Sequence, residues 1–262
     1  MPFWRYVLTR MHAGNKSQNR YQTQQSFDAN LMDYDNFTVS VIIPAFNAEK
    51  YIAEAIQSVL LQTSPASEII VVDDGSADGT REVIEKHRGV RYVYQENTGV
   101  AAALNRGCRL ATSNYIAFIS ADDVWRPDKL QQQRACMLQR PQALVFGHMK
   151  NFISPELAPD EAIKISCPKE AMPAYSAGTL LTRLDNFNQI GPFNESLIVG
   201  EFVEWYGRAK DHQMEVVMMD AVVSMRRLHK SNHSKRVLKN SKSYAPALKA
   251  ILDRRRAKAS VE

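Results

Sequence analysis

Apolar residues along this chain come in two alternating kinds of run. Short β-branched stretches at 39–43 (closed by Pro44), 68–72, 90–94 and 115–120 read as strands. Between them the apolar positions follow helical spacing. In 49–62, Ile52, Ala55, Ile56, Val59 and Leu60 share one face. The segment 80–87 reads as a short helix with Asp78 or Thr80 as its cap, and 99–111 as a third helix interrupted late by Gly107. Strands alternating with helices at this spacing predict an α/β fold: a single Rossmann-like, mostly parallel sheet with helices on both faces. Downstream the rhythm loosens. A helix at 127–138 and a strand at 143–149 precede a proline-broken loop, 151–173, placed to cover a site. A short apolar segment at 178–184, a helix at 200–212 and a strand at 215–219 follow. A polar loop at 226–234 leads to a last helix near 245–256.

In such sheets ligands collect at the carboxyl ends of the strands. The topology therefore brings residues 44–47, 73–74, 96–99 and 122–123 to one edge. Two of these strand ends carry paired acids, Asp73 with Asp74 and Asp122 with Asp123. Carboxylates there can accept hydrogen bonds from a nucleobase or from ribose hydroxyls. They can also hold Mg²⁺, which typically takes one or two carboxylates plus substrate phosphates. Each pair alone also reads as a turn acid or a helix cap. Together they favour a nucleotide and metal site. The chain has neither a Gly-x-Gly-x-x-Gly after its first strand nor a Gly-x-x-x-x-Gly-Lys-Ser/Thr, which argues against a dinucleotide oxidoreductase and a P-loop enzyme.

Composition changes this picture only at the ends. The 262 residues are 45% hydrophobic and 23% charged, ordinary for a globular chain. Residues 1–36 are polar and Gln/Asn-rich and read as a mobile extension, with Met32 as an alternative start. Residues 37–235 form the main domain, with a first half at 37–130 and a second, smaller acceptor-side half at 131–235. Residues 236–262 form a basic tail. Between Arg226 and Lys258 lie twelve Lys/Arg and one acid, Asp253, within a chain of net charge +5. That density suits a solvated surface, anionic lipid or phosphate, and no nucleic-acid motif accompanies it. Cys108, Cys136 and Cys167 are widely spaced, which fits a reducing compartment and excludes a Cys-rich zinc site. No apolar run approaches a bilayer span. The expected location is cytoplasmic, with peripheral contact at the inner membrane face through the basic tail.

Four stretches carry a family likeness. They are Val41 to Asn47 with Pro44, Ala45 and Phe46; Ile69 to Thr80 with Asp73, Asp74 and Gly75; Asn97, Thr98 and Gly99 followed by Asn105, Arg106 and Gly107; and Phe118 to Trp125 with Ser120, Asp122 and Asp123. In order and spacing they closely resemble the family 2 glycosyltransferases. A weaker likeness continues through Gly178, Ile190 to Phe193, Gly200 with Glu201, and Arg227 to Asn232. The resemblance implies a GT-A fold and inverting transfer of a sugar from a nucleotide-diphosphate sugar, a UDP-sugar above all, to an acceptor glycan, lipid or protein. It implies that Pro44, Ala45, Phe46, Asn47, Asp73, Asp74, Asn97, Gly99, Asn105 and Asp122 line the donor site. It implies that Asp122, Asp123 and His229 stand near a divalent cation, Mg²⁺ or Mn²⁺.

Two positions depart from the family pattern. The first acid of Asp-x-Asp is Ser120, and the Glu-Asp that supplies the base reads Glu201, Phe202. Glu201 is the favoured base, and Glu204, one helical turn on, is the second candidate. Both also read as acids at a positive helix start. Trp125, Trp205 and Tyr206 read as sugar-stacking or core aromatics. A sugar-nucleotide-binding protein with weak or lost catalysis is the alternative function. A sugar nucleotidyltransferase is disfavoured, because Pro44 to Asn47 is not the Gly-rich, Arg-containing loop such enzymes place after the first strand.

Overall fold

The computed structural model describes residues 37–163, 165–230, 232 and 244–260. The expected extension at 1–36, with Met32, and most of the basic stretch at 231–243 lie outside the described residues. The first half alternates as expected: β1 (Val39–Ala45), α1 (Ile52–Leu60), β2 (Glu68–Asp74), α2 (Thr80–Glu85), β3 (Val90–Gln95), α3 (Val100–Leu110) and β4 (Tyr115–Phe118). Then come β5 (Val124–Trp125), α4 (Lys129–Gln139), β6 (Leu144–Ile153), α5 (Pro159–Ala162), β7 (Met172–Ala174), β8 (Leu181–Arg183), α6 (Leu184–Ile190), α7 (Glu201–Asp211), β9 (Val216–Leu228) and α8 (Ala245–Ala259).

The described strands form one sheet in the order β3-β2-β1-β4-β8-β6-β9-β5, with β7 added to β6. The first four are parallel, β8 runs antiparallel between β4 and β6, and β6 pairs with β9 in parallel. The carboxyl ends of β1, β2, β3, β4, β6 and β9 therefore share one edge. Val41, Ile42, Ile43, Ile70, Val71 and Val72 are fully buried, so both faces of the central strands are covered. Each such side chain contributes about 1.5–3 kcal/mol on leaving water.

Pro44 does not close β1. It lies inside the strand, paired in register with Val72. Ile42 turns its carbonyl toward the β4 side, where Ile119 donates to it at 3.2 Å. Pro44, two residues on, faces the same side, and the β4 ladder has already ended at Ile42 and Phe118. The missing N–H thus costs no ladder bond. Nor does Gly107 interrupt α3. A Cβ there would lie 2.3 Å from Ile42 Cγ2, so the glycine lets the helix lie directly on β1.

The second half departs further from the sequence pattern. β9 runs for 13 residues, where the apolar run suggests only 215–219. Asp220 breaks the run, but its side chain is fully exposed at an irregularity where the β6–β9 register shifts, and the ladder resumes from Val222 to Leu228. Part of the expected 151–173 loop is the end of β6, with α5 and β7. An aromatic core of Phe118, Phe146, Phe187, Phe193, Phe202 and Trp205 joins the sheet to α6 and α7. The last helix docks on α7: Ile251 packs at Gly207, and Arg254 bonds Glu204 at 2.7 Å and Asp211 at 2.9 Å.

Candidate active site at the carboxyl edge of the sheet

The β2 end is a cradle built from near neighbours. Asp73 accepts from the Tyr92 hydroxyl at 2.8 Å and from the Ser76 N–H at 2.9 Å. Asp74 accepts from the N–H groups of Thr98 and Gly99, both at 2.9 Å, and from Gln95 Nε2 at 2.7 Å. Both acids are nearly inaccessible. They brace the loops around the edge as much as they face it. Burial raises the Tyr92 hydroxyl above its ordinary range, and the Asp73 carboxylate adds to the effect, so the phenol stays a donor. Gly75 makes the turn after them at φ +80°, and a Cβ there would sit 2.8 Å from the Asn97 nitrogen. On the β1 side, Asn47 holds φ +48° and is tied to the next loop: its N–H donates to Ser76 Oγ and its Oδ1 accepts from Ala77 N–H, both at 2.9 Å. Ala45 is buried, Pro44 is half-buried, and Phe46, Asn47 and Asn97 are exposed at this edge. A groove of about 510 Å³ opens beside it, lined by Gln95, Glu96, Thr98, Arg106, Arg109 and Glu195 among others.

The β4 end is built from distant partners. Asp122 points its Oδ2 to His229 Nε2 at 3.0 Å and to Asn232 Nδ2 at 3.1 Å, with about a third of its side chain exposed. Asp123 turns the other way, into the protein. Its Oδ1 accepts the Arg227 N–H at 3.0 Å. Burial first, and then the Asp122 charge, raises its carboxyl well above the usual carboxylate range. The described acids thus split: Asp122 and His229 meet, and Asp123 lies beneath them as a support. The Tyr51 ring tilts against His229 with centroids 4.5 Å apart, and its hydroxyl donates to Glu156. Burial, with that carboxylate, pushes the Tyr51 hydroxyl up to about 12. Among the described residues no three His, Cys, Asp or Glu cluster as a closed metal cage. One carboxylate and one imidazole nitrogen still fit a hard cation that takes its remaining oxygens from phosphate and water.

The second half separates its two candidate bases. Glu201 opens α7, half-buried. Glu204 is buried and bound on both oxygens: Arg208 Nε donates to Oε1 at 3.1 Å and to Oε2 at 3.0 Å, and Arg254 Nη1 donates to Oε1 at 2.7 Å. Arg208 also donates to the carbonyls of Ile190 and Pro192. Glu204 therefore joins α7 to α8 and to the turn after α6. Phe202 packs against Phe146, Phe193 and Trp205. Trp205 is fully buried with its indole N–H on the Gly191 carbonyl at 3.0 Å, so it is a core residue. Trp125 is buried too, and its Nε1 donates to the Gly178 carbonyl at 3.2 Å. Tyr206 is half-buried and stacks on Tyr175.

Asn105 is likewise spent inside the protein. Its Nδ2 donates to the Phe193 carbonyl at 2.9 Å and to Glu195 at 2.8 Å, and its Oδ1 accepts the Phe193 N–H at 2.8 Å. It clamps α3 to the segment before α7 and presents no amide atom to the edge. Three side chains at the edge are not among the site residues expected from the sequence: Arg227, Asn232 and Tyr51. The first two stand in the weaker motif that also holds His229, but a buried arginine and a backbone-bonded asparagine have no signature in one sequence.

A mostly parallel α/β sheet of this kind binds its ligands at the carboxyl edge of the strands, where these acids gather. The model of Glycosyl transferase family 2 matches residues 40–193, and the chain belongs to that family. TuaG of Bacillus subtilis (strain 168), assigned provisionally as a teichuronic acid biosynthesis glycosyltransferase, is 42% identical over 113 residues, 41% of this chain and 45% of TuaG. The chain thus spans less than half the length of that relative. WfgD of Escherichia coli, a UDP-Glc:α-D-GlcNAc-diphosphoundecaprenol β-1,3-glucosyltransferase, is 28% identical over 221 residues, 79% of this chain and 84% of WfgD. The crystal structure of S. aureus TarS 1-349 in complex with UDP-GlcNAc superposes with a TM-score of 0.62 at 23% identity, covering 76% of this chain and 60% of that one. It shares the fold.

Proposed function

We propose that the chain is an inverting glycosyltransferase that moves a sugar from a UDP-sugar to the hydroxyl of a lipid-linked saccharide. The observation that carries the reading is the pairing of the partly exposed Asp122 with the buried His229 on the same sheet edge as the Asp73–Asp74 cradle. Pro44, Phe46, Asn47, Asp73, Asp74, Asn97 and Gly99 form the nucleoside end, with Asp73 and Asp74 holding both the ligand and the loops. Asp122 and His229 would hold a Mg²⁺ or Mn²⁺ ion at the diphosphate end. The chemistry the cation supplies when bound is charge neutralisation on the leaving diphosphate. Glu201 takes the proton of the acceptor hydroxyl as that oxygen bonds to C1 of the sugar. The C1–O bond to the diphosphate breaks and its electron pair leaves with the nucleotide. Attack opposite the leaving group inverts the anomeric centre.

The names of WfgD and of the TarS complex support a UDP-sugar donor, and that of WfgD supports a diphosphoundecaprenol-linked acceptor. No described helix is long and apolar enough to cross a membrane. The outward face of α8 instead exposes Leu248 and Leu252 beside Lys249 and Arg256, a surface suited to anionic lipid at the inner membrane face. Phe202 favours a second reading, a sugar-nucleotide-binding protein without turnover.

One experiment separates the two. UDP-, GDP- and dTDP-sugars are screened with Mn²⁺ by thermal shift, then for transfer to a polyprenyl-diphosphate sugar. Stabilisation by a UDP-sugar followed by transfer supports the enzyme. Binding with no turnover in any acceptor mixture supports the second reading, and no stabilisation by any donor rejects both.

A further inference from the structure

Arg227 is among the largest fully buried side chains, at 1% exposure near the end of β9. A buried guanidinium is costly unless its donors are used, and here they reach three separate parts of the chain. Its Nε donates to the Asp122 carbonyl at 3.0 Å, and its Nη2 to Glu54 Oε2 on α1 at 2.6 Å. Its Nη1 approaches Ser154 Oγ, just past β6, at 3.4 Å. The plane lies 5.1 Å from the Tyr51 ring centroid and 4.7 Å from that of Phe152. The backbone takes part as well: Arg227 N–H donates to Asp123 Oδ1, and its carbonyl accepts Asn232 Nδ2 at 2.9 Å. That same Asn232 nitrogen reaches Asp122 Oδ2, and Asn232 Oδ1 accepts the His229 N–H at 2.6 Å. These contacts behind Asp122 and His229 pass through Arg227 or through a residue it touches.

We propose that Arg227 is a positioning residue that sets the geometry of Asp122 and His229, and with it their affinity for a divalent cation. The inference rests on the reading of that pair as cation ligands. Lysine cannot replace it. A single ammonium on a flexible stem cannot span the Asp122 carbonyl, Glu54 and Ser154 together, as a planar fork does. Partners that orient metal ligands commonly govern affinity by about 10–100-fold.

The test is a Mn²⁺ titration followed by electron paramagnetic resonance, without nucleotide and again with saturating UDP, on wild type, Arg227→Lys and Glu54→Gln. Thermal melts run in EDTA alongside. Arg227→Lys is expected to weaken Mn²⁺ binding by about 10–100-fold in the folded protein, with UDP binding in EDTA unchanged. Glu54→Gln, altering only the exposed partner, shifts it in the same direction by a smaller factor. A purely structural arginine would lower the melting temperature and leave the Mn²⁺ affinity of the folded fraction alone, which overturns the proposal. Should Arg227→Lys fail to fold, unchanged Mn²⁺ affinity in Glu54→Gln overturns it. Wild-type protein that binds Mn²⁺ under neither condition rejects the cation reading and this inference together. Wild-type binding that Arg227→Lys reproduces rejects this inference alone.

Discussion

The two acid pairs look alike in the sequence and are used differently. Asp73 and Asp74 both turn to donors within about one strand–helix unit, namely Ser76, Tyr92, Gln95, Thr98 and Gly99. Asp122 and Asp123 part company, one toward His229 at the edge and one toward Arg227 in the interior, with partners more than a hundred residues away. Glu204 likewise serves structure, held by Arg208 and Arg254. Local partners make a rigid cradle from adjacent loops. Distant partners let the fold give one acid to structure and leave the other near the edge.

That division can be broken by substituting each member in turn. The largest effect is expected at Glu201. Glu201→Gln lowers turnover by about 10²–10⁴-fold, the usual worth of a general base, with donor affinity unchanged by calorimetry. Near wild-type turnover would remove Glu201 from the chemistry. Asp122→Asn follows, losing about 10²–10³-fold in turnover together with the Mn²⁺ dependence of UDP binding. Titrations that stay the same with and without Mn²⁺ would take Asp122 out of the site.

The inward members should fail in stability instead. Glu204→Gln leaves two guanidinium groups short of a carboxylate, one of them partly exposed, and costs about 2–4 kcal/mol in urea unfolding. Turnover of the folded fraction is retained. A stable Glu204→Gln with lost turnover would reverse the two glutamates. Asp74→Asn sets an amide against donors and costs about 1–3 kcal/mol, with faster hydrogen exchange at Thr98 and Gly99 as its local mark.

A separate, pH-dependent effect concerns Lys129 in α4, just past the second acid pair. It is fully buried, bonded to Gln133 and 4.3 Å from the Trp125 ring centroid. Burial pushes its ammonium down to about 7. Below pH 7 the folded and unfolded chains both carry the proton, and the burial penalty is constant. As pH rises toward the unfolded value of about 10.4, the folded chain has released a proton that the unfolded chain keeps, so stability rises. Thermal melts from pH 7 to 9.5 should show wild type gaining on Lys129→Met. Parallel curves would mean Lys129 titrates normally.

The alternation of β-branched runs with helical faces determines the α/β class and the parallel first half. Each of those elements carries its own periodicity, and each neighbour in the sheet is a near neighbour in the chain. For the same reason the strand-end positions of Asp73, Asp74 and Asp122 are legible in the chain alone. Pro44 and Gly107 read as breaks and are not, because a proline's cost depends on whether a strand lies beside it and a glycine's on how close a helix must come. The apolar pattern cuts β9 short at Asp220, because a register irregularity that lets one acid face solvent exists only between two strands.

Which acid of a pair faces the edge lies beyond the sequence altogether. Asp122 differs from Asp123 through Arg227 and Asn232, and Glu204 is tied to the last helix by Arg254, residues brought close only by tertiary folding, whereas Arg208 lies one helical turn from Glu204. Burial and charge pairing are properties of the assembled surroundings, whereas strand, helix and turn are largely written in neighbouring residues.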